Sequence, residues 1–373
     1  MPPPRGGGAL LRNLSDKNAH SSAFSQGPQA GQQAGQNASG AATKAELDAN
    51  ILAGGGLGLD PENDPIVATT DWGLDIYFHN AGEGTWKNTT ADGSVSTAAL
   101  SGYNYFLGGT YGGVALKWVI IGYSTNTVSA GPVKPNNVSN SNVFPDTTDA
   151  GSVIKTYGSR GLIYVNSYKL SAYTNAVGTT EIPAGCVLCI SEKNLLNADY
   201  NSTYYSDDGD GYYKGGRWVH SELRTTMSNL CNSGITGFDT IRAKIQTVSL
   251  NTYSWKYKMS DETKGIGKDT SSDKFFALAN STYNTDDQVV YNTSTYPQNY
   301  RLETYLGATY ASHASKRISY THNKTTADSW WLRSGYSSSA SKVYCVYARG
   351  CIDYTSASAS LGVRPAFVLN VWS

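Results

Sequence analysis

Trp330-Trp331-Leu332-Arg333-Ser334 and Gly362-Val363-Arg364-Pro365-Ala366 bracket the segment whose reading decides the fold. Two adjacent tryptophans followed by leucine read as a strand buried beneath a binding face; an exposed sugar-stacking pair is the other reading. Arg333 and Arg364 read as internal supports whose guanidinium forks donate to backbone carbonyls near the site. Between the blocks two residue sets interleave. Ala340, Val343, Val346, Ala348, Gly350 and Ile352 are small or β-branched, as a strand-bearing scaffold needs. Among them lie Tyr336, Ser337, Ser338, Ser339, Ser341, Tyr344, Cys345, Tyr347, Arg349, Cys351, Asp353, Tyr354, Thr355, Ser356, Ser358 and Ser360. Alternation is expected to place this second set on one face of a strand and in its flanking loops. Its composition is that of a paratope: tyrosine gives rigid amphipathic contact area and serine gives adaptable hydrogen bonding.

Upstream, short apolar runs alternate with turn residues. Strands are expected at Trp72–Phe78, Val114–Ile121, Cys186–Ile190 and Lys274–Ala279, and a long loop at Asn126–Thr148. Ser221–Leu230 predicts a helix, with Leu223, Met227 and Leu230 at helical spacing and Ser221 as its cap. Phe238–Ile245 predicts a second, shorter one. Residues 1–65 read as a flexible low-complexity segment. Ser22–Ala42 carries one aromatic and no charge, too little to offset its ordering entropy. Thr43–Leu47 could form one short helix there, and the segment reads equally as a linker or as a docking arm.

The chain has 373 residues, 29 basic and 29 acidic side chains and a net charge of zero, without the basic excess of a nucleic-acid binder. Only 16% of residues are charged, so Ser, Thr, Asn, Gly and 27 tyrosines carry the polarity. No apolar run reaches the length of a membrane span, and the Met-Pro-Pro-Pro-Arg-Gly-Gly-Gly start lacks the apolar core of a secretory signal. The fold class expected is α+β: an irregular antiparallel sheet, two helices and long loops.

The order of these blocks resembles the C-type lectin-like domain of bacterial and phage proteins diversified by retroelements. The resemblance runs from Lys117-Trp118-Val119-Ile120 through Cys189-Ile190-Ser191-Glu192, Arg217-Trp218 and Ser221-Glu222-Leu223-Arg224 to Lys274-Phe275-Phe276-Ala277-Leu278. It is most specific in the two C-terminal blocks. The resemblance implies a ligand-binding domain over residues 66–373 with a variable region at about 336–360. In that family adenines of template Asn codons are replaced at random, which can yield Tyr, Ser, Cys, Arg, Asp, Thr or Gly among others but never Trp, Met, Gln, Glu or Lys. From Tyr336 to Ser360 only Lys342 falls among the residues this process cannot make. The implied role is virus–host attachment at a virion tail or fibre tip. The N-terminal segment would join the virion, the ligand would be a cell-surface protein or glycan, and homo-oligomers are familiar at such tips. A cellular surface adhesin of the same fold is the alternative.

An oxidase of the sulfatase-activating type shares the fold and needs paired cysteines, which puts Cys345 and Cys351 under consideration. Their interleaving with Ser and Tyr favours chance products of diversification in a surface patch, and a disulfide between them would need a turn. Cys186 and Cys189 have the spacing of a zinc half-site but no second half, so they read as buried structural thiols. None of the five histidines has metal-ligand spacing, and His220 reads as structural. No cofactor is expected. Asp207, Asp208 and Asp210 beside glycines form a weak calcium candidate, against the plainer reading of a polar acidic turn.

Overall fold

The computed structural model describes residues 57–62, 64, 66–70, 72–80, 102–126, 154–157, 160–163, 176–260, 262, 264–280, 297–307, 317–322, 326–348 and 350–371. The expected 126–148 loop (beyond Asn126), the 43–47 helix and residues 1–56 lie outside them. Strands dominate. In chain order they are β1 (Ile66–Thr69), β2 (Asp75–Asn80), β3 (Gly102–Tyr111), β4 (Val114–Ser124), β5 (Ile154–Tyr157), β6 (Arg160–Ile163) and β7 (Val177–Thr179). They continue with β8 (Cys186–Ser191), β9 (Leu196–Asp199), β10 (Ile245–Gln246), β11 (Val248–Tyr257), β12 (Lys264–Asp273), β13 (Ser319–Tyr320) and β14 (Ala327–Asp328). The last five are β15 (Trp330–Gly335), β16 (Lys342–Val346), β17 (Ile352–Ser356), β18 (Ser360–Val363) and β19 (Ala366–Asn370).

Two sheets organise the domain. The larger runs β1-β2-β3-β4-β8-β19-β10, with β7 beside β4; the smaller runs β17-β16-β15-β18-β9. Most pairs are antiparallel, but β4–β7 and β15–β18 are parallel, so the sheets are mixed rather than purely antiparallel. β11 and β12 form a long hairpin. The sheets are joined by a two-stranded crossing. β8 leads into β9 while β18 leads into β19 alongside it, held by Leu195 N–H to Val363 O (2.9 Å) and Ser191 N–H to Pro365 O (2.9 Å).

Local sequence accounts for the pieces. The Gly108–Gly109 pair bends β3 where its register with β4 shifts, and the Trp118 indole donates to Gly108 O at 2.8 Å. Trp118 packs against Phe238, Phe275 and Phe367 with ring centroids 5.5, 5.7 and 4.9 Å away. That cluster seats the helix Asp239–Lys244 near the centre of the larger sheet. The expected cap is present at Glu222–Asn229: Ser221 Oγ accepts from Arg224 N–H at 3.0 Å, while Leu223 and Met227 are buried. A third helix, Leu302–Leu306, had no expectation attached to it.

Lys274–Ala279 is buried from Phe275 onward but is not a strand. It makes only isolated bridges, Phe276 with Ala366 and Ala279 with Arg301, because other segments already fill the neighbouring sheet positions. Cys186 and Cys189 are buried on β8, which is covered on both faces, so opposite strand faces do not mean opposite exposure. Residues before Ile66 also pack on the domain. Leu59 lies in the core, Leu57 N–H donates to Glu192 (3.1 Å), the Lys117 ammonium donates to Leu59 O, and Asp64 holds His79 Nδ1 (3.0 Å) and Tyr105 OH (2.9 Å).

Candidate ligand-binding face

The window between the two C-terminal blocks folds as the hairpin β16–β17 at the edge of the smaller sheet. Its register pairs Lys342 with Ser356, Tyr344 with Tyr354 and Val346 with Ile352; Val343–Thr355 and Cys345–Asp353 occupy the positions between. Alternation therefore divides the candidate set between two faces instead of gathering it on one. On the first, Tyr354 lies 3.9 Å from Tyr336 and 6.5 Å from Tyr344, and Tyr336 lies 5.5 Å from Tyr344, measured between ring centroids. The Lys342 ammonium sits 4.6 Å over Tyr354 and 5.7 Å from the centre of Tyr336, a cation–π cap on the cluster. On the second face Cys345 pairs in register with Trp331, whose ring packs 5.7 Å from Tyr200 in the interior.

The candidate residues accordingly differ in access. Tyr336, Ser337, Tyr344, Cys345 and Cys351 are buried. Ser339, Ser341, Tyr347, Asp353, Tyr354, Thr355 and Ser356 are half-buried, and Ser338, Ser358 and Ser360 are exposed. Arg349 lies outside the described residues. The serines pair locally, Ser339 with Ser341 (3.0 Å) and Ser356 with Ser358 (2.9 Å), while Tyr347 OH reaches Tyr354 O at 3.4 Å. The two cysteines are not in a surface patch, and both are free thiols. Burial, with the neighbouring Asp353 charge, pushes the Cys345 thiol well above its ordinary value.

Beneath the face lies the scaffold expected from the sequence. Trp330, Trp331, Arg333 and Arg364 are all buried. The Trp331 indole donates to Ala198 O (2.8 Å) and the Trp330 indole to Arg317 O (2.9 Å). Arg333 donates to Ala277 O (3.0 Å), Thr252 Oγ1 (3.2 Å), Asn299 Oδ1 (3.1 Å) and the Asn299 carbonyl, tying β15 to β11 and to two connecting segments. Burial lowers its pKa to about 10, which leaves it cationic at neutral pH.

A second group of residues adjoins this face. The loop Ser202–Gly216 packs against the turn between β15 and β16. Gly215, at φ 43°, lies against the Ala340 carbonyl, and a Cβ on Gly335 would stand 2.7 Å from Gly216 O and from Ser254 Cβ. Within the loop the three aspartates do not converge. Asp207 Oδ1 accepts from Gly209 N–H (2.8 Å) and Gly211 N–H (3.3 Å), holding the turn. Asp208 is buried against the Arg217 guanidinium, which also grips Asp269 bidentately (2.8 and 3.1 Å). Among the described residues, the group close enough to share an ion is Asp208, Asp210 and His220, without Asp207. Arg217 already supplies its positive charge, and an imidazole is a poor calcium ligand, so the set does not fit the calcium expectation. Burial first, and then Arg217, lower the His220 pKa below the ordinary histidine value.

The sequence reading passed over what surrounds that turn. Tyr204, Tyr205, Tyr213 and Tyr257 form a continuous run of ring contacts with centroids 4.3, 5.4 and 5.3 Å apart. Tyr205 is 62% exposed. The signal was present as Tyr204-Tyr205 and Tyr212-Tyr213 on either side of Asp207–Gly211, the two arms of a tight turn.

Residues 190–371 match a protein-family model described as a domain of unknown function (DUF6273). The match spans the smaller sheet, the β11–β12 hairpin and β19, and so contains the whole candidate face. No curated protein and no solved structure matches the chain.

Proposed function

We propose that this chain is a recognition protein rather than an enzyme. Residues 66–373 are a C-type lectin-like domain whose 336–360 hairpin is diversified by a retroelement and meets a cell-surface ligand. The segment ahead of Leu57 carries the attachment to a virion tail or fibre, while Leu57, Leu59 and Asp64 pack on the domain. The observation that carries this reading is the pairing of two layers. A hydroxyl-rich edge hairpin (Ser338, Tyr354 and Ser356), with Ser358 and Ser360 in the turn and strand start that follow, sits directly on a scaffold whose polar groups are tied inward through Trp330, Trp331 and Arg333. Outer side chains can change there without leaving a buried donor orphaned. Burial of Cys345 and its raised thiol pKa weigh against the oxidase alternative, whose chemistry needs accessible thiolates.

The test is to sequence the DNA downstream of the gene. The expected result is a near-copy of the Trp330–Pro365 coding segment, differing at adenines, with a reverse transcriptase gene nearby. The differences should fall in the codons of Ser338, Tyr354, Ser358 and Ser360 and spare those of Ser337 and Cys345, which the core cannot repack freely. A locus with no such repeat overturns the diversified-binder reading.

A further inference from the structure

We propose that the loop Ser202–Tyr213, together with the tip of the β11–β12 hairpin, is a fixed stacking platform for a neutral glycan. It would form the invariable half of a recognition surface whose other half is the 336–360 hairpin. Three observations carry this. First, Tyr205 is 62% exposed yet wedged between Tyr204 at 4.3 Å and Tyr213 at 5.4 Å, so its ring is held in place before any ligand arrives. Pre-ordering removes most of the side-chain entropy that stacking would otherwise cost. Second, Tyr213 and Tyr257 are stacked at 5.3 Å with an interplanar angle of 27°, which extends the aromatic run from the loop to the hairpin tip.

Third, the charges under the platform are matched within the protein. Arg217 is taken up by Asp208 and Asp269, and Lys256 by Asp269 at 2.7 Å. Lys264, exposed, lies 5.7 Å from the centre of the Tyr257 ring, so the run carries one cation at the hairpin end and the Asp210 carboxylate at the other rather than a field of one sign. What it offers is flat ring faces, phenolic hydroxyls and the Asp210 carboxylate, 65% exposed beside His220 Nε2 at 3.6 Å. A sugar ring has an apolar C–H face to lie on tyrosine and hydroxyls to donate to a carboxylate, which matches this set group for group. Gly215, buried, packs against the Ala340 carbonyl, so the loop that carries the platform adjoins the variable turn. The proposal rests on the recognition reading above for that second half only.

The experiment is saturation-transfer NMR on the full chain with maltohexaose, cellohexaose, laminarihexaose and chitohexaose, with dextran sulfate as the charged comparison. At least one neutral oligosaccharide is expected to bind in the micromolar to millimolar range, with dextran sulfate no tighter. Tyr205→Ala, at an exposed position, should weaken that binding by roughly tenfold, the value of one stacking contact. Val114→Ala, exposed at the turn between β3 and β4 and outside both halves of the surface, should leave it within about twofold. If no neutral oligosaccharide binds, or if Tyr205→Ala has no effect, the platform is wrong. If Tyr354→Ala alone abolishes binding, the platform fails while the recognition reading of the hairpin stands.

Discussion

Arg364 lies with its guanidinium carbon 4.9 Å from the ring centre of Trp330, and both side chains donate to the same carbonyl, Arg317 O, at 3.4 and 2.9 Å. Arg364 also donates to Ser191 O at 2.9 Å, so one guanidinium fastens the crossing between the two sheets to the strand beneath the candidate face. Arg364→Lys removes the fork and Trp330→Phe removes the indole donor. Each should destabilise by about 2–4 kcal/mol. A double-mutant cycle in urea unfolding should return a coupling of about 1–2 kcal/mol, because the pair shares a stacking contact and an acceptor. Additive losses would mean that the two act independently.

Two buried acids should move stability in opposite directions with pH. Burial alone would raise the Asp269 pKa, but hydrogen bonds from Arg217 and Lys256 and their charges outweigh it, and the net value is below 3.8. Its stabilisation is therefore fully present above 3.8 and lost as pH falls through the folded value. Glu192 is raised above 4.5 by burial, with Lys117, Lys193 and the Leu57 amide pulling the other way. The folded state then holds its proton longer than the unfolded chain, so stability falls as pH rises from 4.5 through the folded value. Urea midpoints across acid to neutral pH should show Asp269→Asn removing the acid-side loss. Glu192→Gln should flatten the fall on the other side.

All five cysteines are buried free thiols, and burial pushes Cys186 up to about 12. A thiol-specific disulfide reagent at neutral pH should react with none of them on the timescale of minutes in the native protein, and with all five after unfolding. Cys345→Ser should cost about 1–3 kcal/mol by placing a hydroxyl in an apolar site, with the fold retained. Rapid native-state labelling of Cys345 would revive the oxidase alternative.

Gly215 joins the tyrosine loop to the hairpin turn at a point with no room for a side chain. Its φ of 43° and its approach to the Ala340 carbonyl both oppose a Cβ. Gly215→Ala should cost about 2–4 kcal/mol. Amide hydrogen exchange should rise in Ser202–Gly216 and in Ser337–Ser341 together, since each holds the other. Protection lost in only one of the two segments would separate them mechanically.

Much of the scaffold was legible in the sequence because its signals are local. The Ser221 cap, the helical spacing of Leu223 and Met227, and the apolar run of β4 are decided within a few residues. The burial of Trp330, Trp331, Arg333 and Arg364 follows from the cost of exposing such rings and the capacity of such forks. The site was less legible because access depends on tertiary partners. Tyr336 and Tyr344 have paratope composition yet are covered by each other and by Tyr354. Cys345 sits one strand position from Tyr344 but faces Trp331. Of the Tyr204–Tyr257 run only the loop half was legible, because the hairpin tip that completes it comes from far along the chain. The bridge of Tyr212 with Lys258 that joins them is non-local.

The parallel bridge between Trp330 and Gly362 closes the hairpin at its root, and Ser329 O receives Gly362 N–H there at 2.8 Å. The outer turn at Ser338–Ser341 is thereby a cassette, plugged into a socket of packed strands, β15 to β18, completed by β9 and β8. The entropy of bringing the cassette's ends together grows only with the logarithm of its length, about 0.6 kcal/mol for a doubling. The socket thus sets a low tax on inserting or deleting residues as well as on exchanging them. Insertions or deletions confined to that outermost turn are expected to change its reach while the rest of the domain folds as before.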